Sequence, residues 1–288
     1  MTSLPVLTVV GNCQAESTRR LLMSTGRFTS ERITPVHELT PADMGWFTEL
    51  LSRTDVLVSQ PIHDDYRGLP VGSAQMRGLL PATARHVLVP VLRYDGLMPY
   101  QAIIRDPDDP SLNPPVVPYH DLRILAAAAR GLDAPVDASP SPAALRRAAE
   151  MSIAQIRSRE QRHGTVVVSD HLESAPVWHT VNHPDNATLA VLARAVLNEL
   201  GFHGPDAHVE LPDYEMLGAL DAPVDAAAAA ALGVQVTGRT QWNPRPNGDV
   251  VREQLDFYRA RPRLVEHGLR RHAERLENLG LQNLGVTS

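Results

Sequence analysis

Val6 to Val10 (Val-Leu-Thr-Val-Val) is a short β-branched run that stops at Gly11, and behind Gly11-Asn12-Cys13 the apolar spacing turns helical. A buried strand that feeds a helix through a glycine constrains the fold more than any other local feature. Such junctions belong to parallel sheets whose strand ends open on a ligand crevice. Leu21 and Leu22, with Ala15 and Thr18, fall on one face of the helix, which runs until Gly26. Pro41 to Leu51 reads as a second helix, with Thr40 as N-cap and Pro41 at the first helical position. Asp55 to Ser59 is a further buried strand that leads into Gln60-Pro61-Ile62, and His86 to Val91 is a third. Strands alternating with helices predict an α/β fold, a small parallel sheet with crossover helices.

From Arg93 to Pro118 the chain is irregular and punctuated by Pro99, Pro107, Pro110, Pro114, Pro115 and Pro118. A long loop of this kind inside a folded region reads as a lid or binding loop. Asp121 to Arg130 is helical, Ser141-Pro142 starts a long helix to about His163, and Thr165 to Ser169 reads as another short strand. Asn186 to Leu200 is an apolar helix closed by Gly201. Behind it Asp225 to Leu232, Val250 to Ala260 and Arg263 to Leu279 all read as helix. The expected organisation is an α/β catalytic core over 1–200, carrying the lid-like loop 93–118, with a mainly helical C-terminal extension over 201–288 packing on it.

A hydrophobic fraction of 43% in 288 residues can fill a substantial core. A net charge of −6 with no long basic run argues against nucleic acid as the main partner. Cys13 is the sole cysteine, which excludes an intrachain disulfide and suits a reducing compartment. The first residues carry no positive region, and the apolar stretch behind them is too short for a signal segment. No window reaches membrane length, and a cytoplasmic protein is expected.

Cys13 stands where a strand ends and a helix begins. Amide groups at a helix N-terminus stabilise a thiolate and can donate to a developing oxyanion, while Gly11 permits close approach of a substrate. The alternative is a small buried hydrophobe, the commonest fate of a free cysteine. Trp178-His179-Thr180-Val181-Asn182-His183-Pro184 supplies two candidate bases, His183 at a helix entrance and His179 four residues earlier. A zinc pair would need both on one helix, which Asn182 and Pro184 disfavour. Gln60, at a strand end, is a candidate oxyanion donor or a plain turn residue. Asp170 and Asp185 are candidates for an orienting acid, and Asp185 reads equally as an N-terminal helix charge. Gly11, Asn12 and Gln14 are candidate cofactor-binding residues, with Arg19 on the following helix and Arg93 at a strand end, either of which could meet a phosphate. Arg19, Arg20 and Arg93 read equally as solvated charges. No Gly-rich phosphate loop, CxxC or metal cluster is present as a motif, so neither a nucleotide nor a metal site is expected from motifs.

Gly11-Asn12-Cys13-Gln14-Ala15, Ser59-Gln60-Pro61 and Asn182-His183-Pro184, in that order, resemble the WcbI family of capsular polysaccharide biosynthesis proteins. The Gly-Asn-Cys-Gln block also resembles a cysteine version of the Gly-Asp-Ser block of SGNH-type hydrolases, which implies an SGNH- or Rossmann-like core. The resemblance spans roughly the first 200 residues. It implies an acetyltransferase that takes its acyl group from a coenzyme A thioester and passes it to a sugar, or to a hydroxyl or amine of a specialised metabolite. In residue terms it implies Cys13 as nucleophile, His183 or His179 as base, and Gln60 with the amides at Cys13 and Gln14 as oxyanion donors. A cysteine hydrolase using the same site is the alternative. A non-catalytic carbohydrate- or partner-binding protein is the second.

Overall fold

The structure is a computed structural model that describes residues 3–245 and 247–282. Its elements begin β1 (Leu7–Val10), α1 (Cys13–Met23), α2 (Met44–Ser52), β2 (Val56–Ser59), α3 (Ser73–Gly78) and β3 (Arg85–Leu88). They continue β4 (Gln101–Ala102), β5 (His120–Asp121), α4 (Leu122–Ala129), α5 (Pro142–His163) and α6 (Asn186–Glu199). Four helices close the chain: α7 (Ala226–Ala231), α8 (Asn247–Arg259), α9 (Pro262–Arg271) and α10 (Ala273–Asn278). Two compact units divide these elements. The first comprises Met1–Arg93, Ala154–Pro176 and His183–Gly218, and the second Tyr94–Ile153, Val177–Asn182 and Ala219–Ser288.

In the first unit β1, β2 and β3 form a parallel sheet in that order, with Val9 opposite Val58 and Val58 opposite Val87. Every residue of β1 and β2 is buried, so the β-branched runs reflect a sheet covered on both faces. Val10 and Leu57 pack with Phe47, Leu50 and Leu51 of α2 and Met76 of α3. Helix α6 packs on α1. The one polar residue of β1's interior, Thr8, shares a 2.7 Å hydroxyl bond with Thr54, which in turn donates to the Leu50 carbonyl at 2.8 Å. The α/β class and the parallel sheet with crossover helices are therefore as the alternation of elements predicts.

Two local expectations differ. Thr165 to Ser169 forms no strand: Val166 donates one bond to the Leu88 carbonyl at 2.9 Å, and a 3₁₀ turn follows over Ser169–Ser174. Its backbone donors are taken elsewhere. The buried carboxylate of Glu160 accepts from the amides of Val168 (2.8 Å) and Ser169 (3.0 Å) and from the Ser169 hydroxyl (2.6 Å). A side chain has replaced the ladder. Arg263 to Leu279 is two helices rather than one, broken at His272, whose backbone lies at φ −110°, ψ 20°.

In the second unit α4 packs against α8 and α9. Gly268 allows the close approach, since a Cβ there would lie 2.8 Å from Leu125 Cδ2 and 2.9 Å from Ile104 Cδ1. Strands β4 and β5 pair antiparallel, with Gln101 opposite Asp121. The proline-punctuated stretch puts Tyr100, Ala102 and Ile104 into this unit's core, beside Leu122, Leu125 and Tyr258. Proline removes ladder donors, which leaves the stretch packed but almost without regular structure. Among the described residues no helix is long and apolar enough to cross a membrane.

Candidate active site

The end of β1 and the start of α1 are built around one glutamine. Gln60, which follows β2, accepts from the Asn12 amide through Oε1 at 2.9 Å. Its side-chain nitrogen donates to Asn12 Oδ1 at 3.2 Å and to Gln14 Oε1 at 3.1 Å. Gly11 is required by this packing, because a Cβ at that position would stand 2.8 Å from Gln60 Oε1. Asn12 is the N-cap of α1, its Oδ1 accepting from the Gln14 amide at 2.9 Å. The Gln14 side chain pairs with Leu92 in both directions, donating to its carbonyl at 2.8 Å and accepting from its amide at 3.1 Å. Three side-chain amides thus fix the backbone that carries Cys13.

Cys13 is half-buried, with Sγ 3.5 Å from Nε2 of His183. A thiol and an imidazole 170 residues apart are brought within hydrogen-bond reach. Burial pushes the Cys13 thiol above its ordinary pKa, while the backbone amides of Cys13 and Gln14 pull the other way. The helix-end amides act in the direction expected of them, but desolvation outweighs them and the net shift is upward. Burial thus favours the thiol over the thiolate at Cys13.

His183 is held by the start of α6. Asp185 caps that helix, accepting from the Thr188 amide at 3.1 Å. Asn186 donates through its side chain to the Tyr214 carbonyl at 2.7 Å and accepts from the Met216 amide at 3.1 Å. The Asn186 amide meets Glu215 at 2.9 Å. Asp185 therefore serves as a helix cap.

The remaining sequence candidates have other surroundings. Asp170 is exposed and pairs with Arg157 at 2.9 Å. Arg19 is bound to Glu16 at 2.7 Å and reaches the Ser30 carbonyl at 3.3 Å. Arg93 is half-buried directly behind Leu92, the partner of Gln14. His179 belongs to the second unit, where Nδ1 meets Asp221 Oδ1 at 2.7 Å. Arg239 clamps the same segment, donating to the carbonyls of Trp178, His179 and Ala222 at 2.8–2.9 Å. Asp221, Arg239 and Leu92 carry no local sequence signal. Each is defined by a contact with a residue far away in the chain. No cluster of metal-ligating side chains occurs among the described residues.

The sequence profile of the family described as polysaccharide biosynthesis enzyme WcbI matches residues 6–205. The chain belongs to the WcbI family. A solved structure of WcbI, described as a novel polysaccharide biosynthesis enzyme in its native form without a disulfide bond between coenzyme A and a cysteine, has the same fold. The TM-score is 0.79 at 15% identity, over 97% of this chain and 99% of that one. No curated protein matches. The profile spans all three WcbI-like blocks, Gly11–Ala15, Ser59–Pro61 and Asn182–Pro184.

Proposed function

We propose that this WcbI-family protein is a cysteine-dependent acyltransferase that moves an acetyl or other acyl group from a coenzyme A thioester to a hydroxyl of a sugar. The observation that carries the reading is the Cys13–His183 contact of 3.5 Å at the N-terminus of α1. The family description supports a sugar acceptor, and the coenzyme A named with the WcbI structure supports a coenzyme A donor.

Because burial favours the thiol at Cys13, the thiol proton moves to His183 Nε2 as Sγ attacks the thioester carbonyl. The bond from that carbon to the coenzyme A sulfur breaks, and His183 returns the proton to the leaving thiolate. The acyl group now sits on Cys13. His183 then takes the proton of the acceptor hydroxyl, whose oxygen attacks the acyl-cysteine, and the Cys13 thiolate leaves and recovers the proton. The Cys13 backbone amide, which faces Sγ, is the proposed oxyanion donor. The side-chain nitrogen of Gln60 is engaged by Asn12 and Gln14, so Gln60 holds the motif in shape.

Intact mass after incubation with acetyl-CoA and other acyl-CoAs tests this. An acyl adduct on the wild type, absent from Cys13→Ala, is expected. Donor loss without an adduct and without sugar acylation would instead assign hydrolysis. An unchanged donor and an inert thiol would remove the enzyme reading altogether.

A further inference from the structure

Within the first unit, the segment that follows α6 turns back along α1 and is fastened to it by three polar contacts in order. Asp206 pairs with Arg27, the Glu210 amide donates to Ser24 Oγ at 2.9 Å, and the Tyr214 hydroxyl accepts from Arg20 at 2.6 Å. Each step along the segment is thus a step toward the start of α1, where Cys13 stands. Residues 214–216 then return to the start of α6 itself, at Asn186.

Asn186 is only 5% exposed, although asparagines are mostly found at the surface. Its side chain donates to the Tyr214 carbonyl at 2.7 Å and accepts from the Met216 amide at 3.1 Å, as a strand residue pairs with its neighbour. Its backbone amide donates to Glu215 at 2.9 Å. The cap of α6 is already supplied by Asp185, so the Asn186 side chain serves the returning segment and not the helix. The three contacts along α1 are exposed, and exposed contacts contribute little each. The buried clamp at Asn186 therefore decides where the segment sits. His183 lies three residues ahead of that clamp, and a displacement of ~1 Å in a reacting group costs about a hundredfold in rate.

We propose that Asn186 is a positioning residue: by docking residues 214–216 on the start of α6, it ties the helix behind His183 to the helix that opens with Cys13, and so holds Nε2 against Sγ. The inference rests on the reading of His183 as the base that serves Cys13. It does not depend on which electrophile Cys13 attacks.

Alkylation of Cys13 by iodoacetamide at neutral pH, followed by intact mass on the full chain, reads the thiol–imidazole contact without an acyl donor. His183→Ala is expected to slow it, and Asn186→Ala to slow it about tenfold. The double variant should be no slower than His183→Ala alone, because Asn186 acts through His183. A merely structural loss would loosen the site and leave the thiol as reactive as before or more so. Asn186→Asp provides a second variant that keeps the helix: its carboxylate suits the N-terminus of α6 and still accepts from Met216, but the donor to Tyr214 is gone. It should slow alkylation as Asn186→Ala does, again only while His183 is present. Wild-type alkylation in the Asn186 variants, or a further tenfold slowing on top of His183→Ala, would overturn the proposal. An unchanged rate in His183→Ala would overturn the base reading and this inference with it. Failure of acyl transfer with the alkylation pattern intact would overturn only the catalytic reading.

Discussion

A cysteine at a helix N-terminus feels two opposed effects, and at Cys13 burial prevails over the amides of Cys13 and Gln14. The thiolate fraction at neutral pH is accordingly smaller than for a free cysteine, and in the proposed mechanism His183 takes the proton during attack. Carbamidomethylation of Cys13 should therefore speed up continuously from neutral pH to beyond the ordinary thiol value of 9.0. A plateau reached near pH 7 would mean a preformed thiolate, contrary to this account. The glycine beside it is equally specific. Gly11→Ala drives a Cβ to 2.8 Å from Gln60 Oε1, so either Gln60 moves or the strand end shifts. A stability loss of about 1–3 kcal/mol and slower adduct formation are expected, read by urea unfolding and intact mass. Wild-type behaviour of that variant would show that Gln60 is not fixed against the motif.

Cys13 opens α1, and His183 lies just ahead of α6. Asn12 caps α1 one residue before Cys13, and Asp185 caps α6 two residues after His183. Losing either cap costs about 1 kcal/mol and lets the first turn fray beside Cys13 or His183. Asp185→Ala should thus lower both the melting temperature and the rate of Cys13 acylation, and Asp185→Ser should restore most of each. Full activity of Asp185→Ala at reduced stability would separate the cap from the placement of His183. These helices were legible from periodicity and cap residues, and β1 and β2 from their β-branched runs. The segment Thr165–Ser169 was not, because a run of valines looks alike whether its amides meet a neighbouring strand or the Glu160 carboxylate.

For the molecule as a whole, acid stability should be governed in part by two desolvated histidines of the second unit, the buried His120 and the half-buried His272. Burial pulls both His120 and His272 from 6.5 to about 4, with Arg275 and Arg271 reinforcing the shift at His272. Between those values the unfolded chain binds protons that the folded chain refuses, so stability is full above about pH 6.5 and declines as the pH falls toward 4. Each group contributes roughly 1–3 kcal/mol to that decline. Melting temperatures between pH 7 and 4 should fall less steeply in His272→Gln than in the wild type. Equal slopes would mean that His272 titrates normally in the folded protein.

The sequence by itself determined the α/β class, the strand–Gly-Asn-Cys-Gln–helix junction, the candidacy of Cys13 and His183, and the family blocks. All of these are written in short windows where local sterics and burial act on neighbouring residues. Only the tertiary structure decided which histidine meets Cys13, since His183 and His179 sit four residues apart with similar local signals. It paired His183 with Cys13 and gave His179 to Asp221. It likewise set the Gln60 side chain against Asn12 and Gln14 and joined Gln14 to Leu92. A contact between residues far apart in the chain is set by how whole elements pack, and no local pattern records it.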